Sequence, residues 1–158
     1  MMTELIDPRA PVVSRTEIEI AAPPEAVWDV LTAFSRWPTW NPEVKSMAIR
    51  EPVVVGSTFR WKAGPSTVTS TIQRLEPPRL IAWSGRTLGI RAIDIFHLDA
   101  RGGSTLVREQ ESWSGLVAHL LRKPLQRTLD RSLENGLCRL KAAAEQRCNL
   151  RRSDVPAE

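Results

Sequence analysis

The stretch from Ile18 to Pro42 constrains the fold of this chain more than any other part of the sequence. It begins as the end of an alternating strand, which Pro23 and Pro24 stop, and it continues with apolar residues at helical spacing. It closes in the Trp/Pro-rich run Trp37-Pro-Thr-Trp-Asn-Pro42. Proline is favoured in the first turn of a helix and disfavoured in its interior. The stretch therefore predicts a strand, one short helix and a bend, in that order.

The middle of the chain alternates apolar and polar residues in short runs, which is typical of half-buried strands. Gly64-Pro65 and Gly102-Gly103 are hairpin turn pairs, and no connection is long enough for a parallel crossover, so we predict an antiparallel sheet. The predicted strands are 12–20, 44–50, 57–63, 67–75, 80–84, 88–98 and 104–114.

The C-terminal part predicts one long helix, with Pro124 either starting it or separating it from 116–122. Its apolar stripe recurs every three or four residues: Leu125, Leu129, Leu133, Leu137, Leu140 and Ala144. An antiparallel sheet with one apolar face must be covered, and only this helix is long enough to cover it. We expect a flexible arm at 1–11, a single domain at 12–147 and a disordered basic tail at 148–158.

Three motifs carry a resemblance to a known family. They are Ala22-Pro-Pro-Glu-Ala-Val-Trp28 together with the run from Trp37 to Pro42, Gly56-Ser-Thr-Phe59, and Glu111-Ser-Trp-Ser-Gly115 ahead of the long helix. The chain resembles the START/Bet v 1-like (SRPBCC) superfamily, in particular its polyketide cyclase/dehydrase-like branch, over about residues 12–146. The resemblance implies an α+β helix-grip fold, in which a curved antiparallel sheet of about seven strands (β-α-α-β6-α) grips the C-terminal helix around a ligand cavity.

The last predicted hairpin places acidic residues on its apolar face. With Leu98 opposite Thr105, Asp94 pairs with Glu109 and lies near Glu111. Two carboxylates facing each other in a dry cavity cannot both ionise cheaply, so at least one pKa should rise. These three residues are the candidates either for catalytic groups or for polar contacts with a ligand.

Two other interpretations of these acids remain open. A register shifted by one residue would turn all three toward solvent. Alternatively, Arg50, Arg60 or Arg91 would neutralise them at the mouth of the cavity. The position of Asp94 is often occupied by His in the family that the chain resembles, and the aspartate weakens the transfer of a histidine-based mechanism.

Large apolar side chains could together line a pocket for a flat or greasy ligand, although plain core packing is the better explanation for any single tryptophan. The candidate ligand-binding residues are Trp37, Trp40, Phe59, Trp61, Trp83, Phe96, Trp113, Leu129 and Leu133.

Other chemistries lack support in the sequence. His97 and His119 are the only histidines and form no ligand-spaced cluster, so we expect no metal. Ser112 and Ser114 have no histidine partner at a recognisable spacing, and no phosphate-binding loop is present, so we expect no cofactor. The net charge of +4 comes without a nucleic-acid-binding motif, and no apolar run would span a membrane. We expect a cytoplasmic monomer or homodimer with a small hydrophobic ligand as its partner, and neither nucleic-acid binding nor integral membrane association.

Three functions are compatible with this pattern. The first is binding of a small aromatic or lipid-like ligand between sheet and helix. The second, which the resemblance implies, is a cofactor-independent cyclase or dehydratase that uses a cavity carboxylate as general acid or base. The third is a partner-binding domain whose core is simply filled.

Overall fold

The computed structural model describes residues 6–154 and consists of a seven-stranded antiparallel sheet, a long helix and three short helices. The order of the strands in the sheet is β1-β7-β6-β5-β4-β3-β2. The strands are β1 (Val12–Ile20), β2 (Val44–Ile49), β3 (Thr58–Ala63), β4 (Ser66–Glu76), β5 (Leu80–Thr87), β6 (Ile90–Arg101) and β7 (Ser104–Ser114). The helices are α1 (Pro24–Thr32), α2 (Trp37–Trp40), α3 (Leu116–Leu120) and α4 (Arg122–Ser153), with a single 3₁₀ turn at Phe34–Arg36. The predicted α+β helix-grip fold is confirmed.

The long helix α4 packs its leucine stripe against the sheet. Leu129, Leu133, Leu137, Leu140 and Ala144 are all buried. None of the helices within residues 6–154 is both long enough and apolar enough to cross a membrane.

The start of α4 explains the position of its proline. Leu121 leaves helical geometry, with φ −107° and ψ 31°, and separates α3 from α4. Pro124 then lies in the first turn of α4, where its missing N–H costs no intrahelical hydrogen bond. Both interpretations of Pro124 are therefore correct, since it lies at the start of the main helix and the chain is interrupted just before it.

The β6–β7 hairpin corrects the predicted register. Arg101 pairs with Ser104 around Gly102 and Gly103, and Leu98 pairs with Val107 rather than with Thr105. Both glycines have positive φ, 52° and 92°, as a two-residue turn with the twist of the strands requires. The shift is two residues, so every side chain stays on its predicted face.

The outer face of the sheet is also partly apolar, and the N-terminal segment covers it. Ile6 is buried in a small cluster with Leu80, Ala82 and Ile95. The backbone N–H of Asp7 donates to Ser112 Oγ at 3.1 Å. Residues 6–11, which were predicted as part of a flexible arm, pack on the outer face of the sheet, because its apolar side chains need cover from water. The rest of the predicted arm, 1–5, lies outside the described residues.

The C-terminal boundary also differs from the prediction. Helix α4 runs to Ser153, so residues 148–153 are helical and not disordered. Cys148 packs against the main core, and no proline or glycine lies between Gly136 and Pro156 in the sequence. The rest of the predicted tail, 155–158, lies outside the described residues.

Candidate functional site

A cavity of about 110 Å³ lies between the sheet, α2 and α4. The sheet contributes its inner face, α2 one wall and the middle of α4 the other. The lining residues are Leu31, Trp37, Trp40, Asn41, Glu43, Val44, Trp61, Ala63, Trp83, Asp94, Phe96, Glu109, Glu111, Ser132, Leu133, Gly136 and Leu140.

The three predicted acids meet at this cavity. Asp94 on β6 lies between Trp83 on β5 and Glu111 on β7, and Glu109 lies opposite Phe96. One carboxylate oxygen from each acid falls within 4.8 Å of the others. The observed register thus excludes the one-residue slip that would have turned the acids to solvent, and it pairs Asp94 with Glu111 instead of Glu109.

Burial and mutual repulsion change the ionisation of all three acids. Burial raises the pKa of Asp94 well above its ordinary value, and the Glu109 and Glu111 carboxyl groups add to this, against a lowering contribution from the Ile95 backbone. Burial and then Glu111 raise the pKa of Glu109 in the same way. Asp94 and Glu109 are only 7% and 6% exposed. Burial therefore disfavours the charged form of both carboxyl groups relative to an exposed carboxyl group.

Glu111 is half-buried, whereas Asp94 and Glu109 are buried. Burial raises its pKa to about 7, although a hydrogen bond from Trp113 opposes the rise. In that bond Trp113 Nε1 donates to Glu111 Oε1 at 2.6 Å. The site therefore contains one carboxyl group with a pKa suited to proton transfer at physiological pH.

Basic side chains do not neutralise this cluster within residues 6–154. Arg50, Arg60 and Arg91 are exposed. None of them takes part in the four ion pairs found within residues 6–154, and none of those pairs includes an acid of this cluster. The proposed neutralisation by one of these arginines is therefore wrong for the described chain, because all three side chains are exposed to solvent and none of them lines the cavity.

Three buried side-chain polar atoms in residues 6–154 have no hydrogen-bond partner, and all three belong to residues lining this cavity. They are Trp40 Nε1, Asp94 Oδ1 and Glu109 Oε2. Buried polar groups are nearly always hydrogen-bonded, so each exception needs an explanation. The cavity combines one unsatisfied donor on α2 with two unsatisfied carboxyl oxygens on the sheet.

The aromatic wall is built around Trp37. Its ring centre lies 5.9 Å from that of Trp61, 5.6 Å from that of Trp83 and 6.4 Å from that of Trp40. Trp37 Nε1 donates to the Leu31 carbonyl at 2.9 Å. Trp37, Trp40, Trp61 and Trp83 therefore line the cavity, as do Phe96 and Leu133.

Three predicted ligand-binding residues lie outside the cavity lining. Phe59 is fully buried and packs on Phe34, with ring centres 4.9 Å apart. Trp113 and Leu129 belong to a separate apolar cluster at the start of α4. In the structure these three side chains pack within apolar clusters instead of lining the cavity.

Several lining residues were not predicted. Asn41 and Glu43 follow α2 and are tied to α4: Arg139 donates to Asn41 Oδ1 at 3.1 Å, and Ser132 Oγ donates to Glu43 Oε2 at 3.3 Å. Leu31, Val44, Ala63 and Leu140 complete the unpredicted apolar part, and Gly136 contributes open backbone. One signal could have revealed Gly136, since a glycine inside a leucine stripe lowers helix stability and commonly has a packing reason.

The carboxyl cluster is also the group of residues within 6–154 whose spacing would suit a metal ion. Hard cations such as Ca²⁺ take six to eight oxygen ligands. Most of the other lining side chains are apolar, so protonation relieves the repulsion here more readily than a metal would. We do not assign these residues as metal ligands.

A curved sheet that grips one long helix around an aromatic cavity defines the helix-grip class of proteins. The chain belongs to the polyketide cyclase/dehydrase and lipid transport family, whose profile matches residues 11–145. This places it in the SRPBCC superfamily, as the sequence motifs predicted.

Solved structures of low sequence identity share the fold. The aromatase/cyclase ZhuI from Streptomyces sp. R1128 has a TM-score of 0.77 at 16% identity, over 86% of this chain and 94% of that chain. A START superfamily protein from Mycobacterium smegmatis has a TM-score of 0.74 at 19% identity, over 85% of this chain and 97% of that chain. A hypothetical protein from Helicobacter pylori has a TM-score of 0.77 at 15% identity, over 89% and 92% respectively. No curated protein sequence matches the chain.

Proposed function

We propose that the protein binds a small, largely apolar molecule in the cavity between the sheet and α4. The observation that carries the proposal is the set of three unsatisfied polar atoms, Trp40 Nε1, Asp94 Oδ1 and Glu109 Oε2, in one aromatic cavity. A ligand with a hydrogen-bond acceptor near α2 and a donor near the sheet would satisfy all three.

The volume of the cavity limits the size of the ligand. A dry cavity of about 150 Å³ admits benzene, and pockets for drug-sized ligands are about 300–1,000 Å³. At about 110 Å³ this cavity favours a body of about one ring, or a short acyl segment, carrying a hydroxyl or an amine. A larger aromatic or lipid-like ligand would require the tryptophans of α2 to move.

The first experiment is native mass spectrometry of the purified full chain, followed by denaturing extraction of any molecule bound to it. A near-stoichiometric small aromatic or acyl compound supports the proposal. An empty cavity that also fails to bind phenol or benzylamine, as monitored by tryptophan fluorescence, contradicts it and favours the filled-core alternative.

A matched pair of variants separates the cavity from the surrounding core. Trp40→Phe removes the unsatisfied indole donor of the cavity, whereas Trp28→Phe makes the same change at a buried position outside the lining. We expect Trp40→Phe to weaken binding of phenol about fivefold and Trp28→Phe to leave it unchanged, since a hydrogen bond to a buried partner contributes about 1 kcal/mol. Equal effects of the two variants would argue against the proposed contact.

The second candidate function is acid–base catalysis, and the Glu111 pKa of about 7 favours it. The cavity would then hold a small hydroxy ketone while a carboxyl group moves a proton during dehydration. A β-hydroxy ketone with one phenyl ring is a suitable test substrate, because loss of water gives a conjugated enone that absorbs in the ultraviolet. Glu111→Gln removes this titratable group and should abolish turnover while binding persists. Unchanged turnover in Glu111→Gln would exclude this function.

A further inference from the structure

The residues around the β5–β6 turn and α3 form an exposed surface that the cavity does not use. Four of the seven large apolar side chains that are exposed within residues 6–154 lie here, namely Leu88, Leu116, Leu120 and Leu121. Soluble proteins seldom expose several large apolar residues side by side without an interaction to account for them.

The charged residues in the two segments that carry these leucines are all basic. Segments 86–91 and 114–127 contain five Lys or Arg residues and no Asp or Glu, whereas the whole chain has 22 basic and 18 acidic residues. Arg86, Arg91, Arg122 and Lys123 are exposed and take part in none of the four ion pairs within residues 6–154. We call the four leucines and these four basic residues the leucine–arginine surface.

The two segments are held together by close backbone packing. A Cβ on Gly115 would lie 2.4 Å from the Gly89 carbonyl oxygen, and one on Gly89 would lie 2.8 Å from Val117 Cγ2. The glycines thus let the β5–β6 turn pack directly against the start of α3. The turn that carries Leu88 therefore packs against the start of α3, which carries Leu116.

The backbone of Leu88 is a further unusual feature. It has φ of 38° and is the non-glycine residue within 6–154 that adopts positive φ, while its side chain is 78% exposed. A bulky residue in this region is strained, and such strain is commonly found at functional positions. The fold here holds a leucine in an unfavourable conformation with its side chain in water.

We propose that the leucine–arginine surface docks the protein onto an anionic lipid bilayer. Leucines would enter the boundary between headgroups and acyl chains, and the arginines and lysine would contact lipid phosphates. The uniform positive charge favours this occupant over a second copy of the chain, because two such surfaces would repel each other. The cavity and its ligand play no part in the argument, so docking is independent of the function proposed above.

The test is flotation of the full chain with vesicles of equimolar phosphatidylcholine and phosphatidylglycerol, compared with vesicles of phosphatidylcholine alone. We expect binding to the anionic vesicles that decreases as salt is added. Arg86→Gln with Arg91→Gln should lower the partition coefficient about 25-fold, since each basic residue near an anionic surface contributes about fivefold. The same two changes at Arg151 and Arg152, at the far end of α4, should have little effect.

The contribution of the leucines has its own matched pair. Leu88→Asn should reduce partitioning about tenfold without loss of stability, because Asn tolerates positive φ and one exposed apolar side chain is removed. Leu150→Asn makes the same change at a leucine that is 61% exposed but lies outside the surface, and it should have little effect. The proposal would be overturned if the protein did not bind anionic vesicles, or if it bound neutral vesicles equally well. It would also be overturned if both members of each matched pair lost the same amount of vesicle binding. A concentration-dependent dimer that Leu120→Ser abolishes would also overturn it, in favour of self-association.

Discussion

The three cavity carboxyl groups differ in how well the fold satisfies them. Glu111 accepts a hydrogen bond from the Trp113 indole, while Asp94 and Glu109 each have one buried oxygen without a partner. The sequence placed all three on one face because side chains in a strand alternate. It could not show which of them would be satisfied, since that depends on where indoles from other parts of the fold lie.

The raised pKa of Glu111 predicts how stability depends on pH. A carboxyl group whose pKa is raised in the folded state favours folding while it is protonated, that is, at low pH. For Glu111 this contribution is lost as the pH rises from the ordinary pKa of 4.5 through the raised pKa of about 7. We expect Glu111→Gln to flatten the pH dependence of the free energy of unfolding between about pH 5 and about pH 8, measured by urea denaturation. Glu134→Gln, on the exposed face of α4, is the control. Identical pH profiles for wild type and Glu111→Gln would contradict this prediction.

At the scale of elements, α4 forms both the central part of the core and one wall of the cavity. Its leucine spacing predicted the buried stripe, and the structure confirms that stripe. Its glycine at 136 lines the cavity, and a Cβ added there would meet nothing within 4 Å. Helix α4 therefore carries no side chain at the point where Gly136 borders the cavity, and this leaves the space there open.

Two substitutions at Gly136 should have opposite consequences. Gly136→Ala should increase the free energy of unfolding by about 0.5–1 kcal/mol, because alanine favours the helix and has room here. Gly136→Leu should occupy the cavity and abolish ligand binding, as seen by fluorescence titration with phenol. Ala142→Leu, at an exposed position of the same helix, controls for added bulk. Retention of full affinity in Gly136→Leu would show that the ligand binds elsewhere.

The contact between the β5–β6 turn and α3 depends on Gly115. Its φ is 104° and the Gly89 carbonyl oxygen occupies the place of a Cβ, so Gly115→Ala should destabilise the protein by about 2–3 kcal/mol. Gly56→Ala is the matched control, because Gly56 has φ of 91° but nothing within 4 Å of its added Cβ. We expect a cost of only about 1 kcal/mol there, from backbone strain alone. Equal loss of stability in thermal unfolding would show that the close packing at Gly115 contributes nothing.

At the scale of the whole molecule, the sheet is covered on both faces. The inner face packs on α1 and α4, and part of the outer face is covered by residues 6–11. The sequence of 1–11 has no periodicity, so it predicted a loose arm. In the structure this segment packs instead on outward-facing apolar residues of β5 and β6. These residues are separated from Ile6 by more than seventy positions in the sequence.

Removal of this cover should be measurable. Ile6→Ala should lower the free energy of unfolding by about 1–3 kcal/mol, because the side chain is 6% exposed and its truncation leaves part of the outer cluster unfilled. Leu150→Ala, at a largely exposed leucine, should change it by no more than about 0.5 kcal/mol. Chemical denaturation of both variants provides the comparison. An effect of Ile6→Ala as small as that of Leu150→Ala would indicate that residues 6–11 do not stabilise the fold.

The sequence by itself determined the strands, the helices, the superfamily and the face on which Asp94, Glu109 and Glu111 lie, because each follows from local periodicity or from contiguous motifs. Only the tertiary structure decided which large side chains line the cavity. Phe59, Trp113 and Leu129 pack in the core, whereas Gly136 and Asn41 line the cavity. The physical reason is that membership of a cavity depends on the curvature of the sheet and on how distant elements meet it, and neither is encoded in the spacing of neighbouring residues.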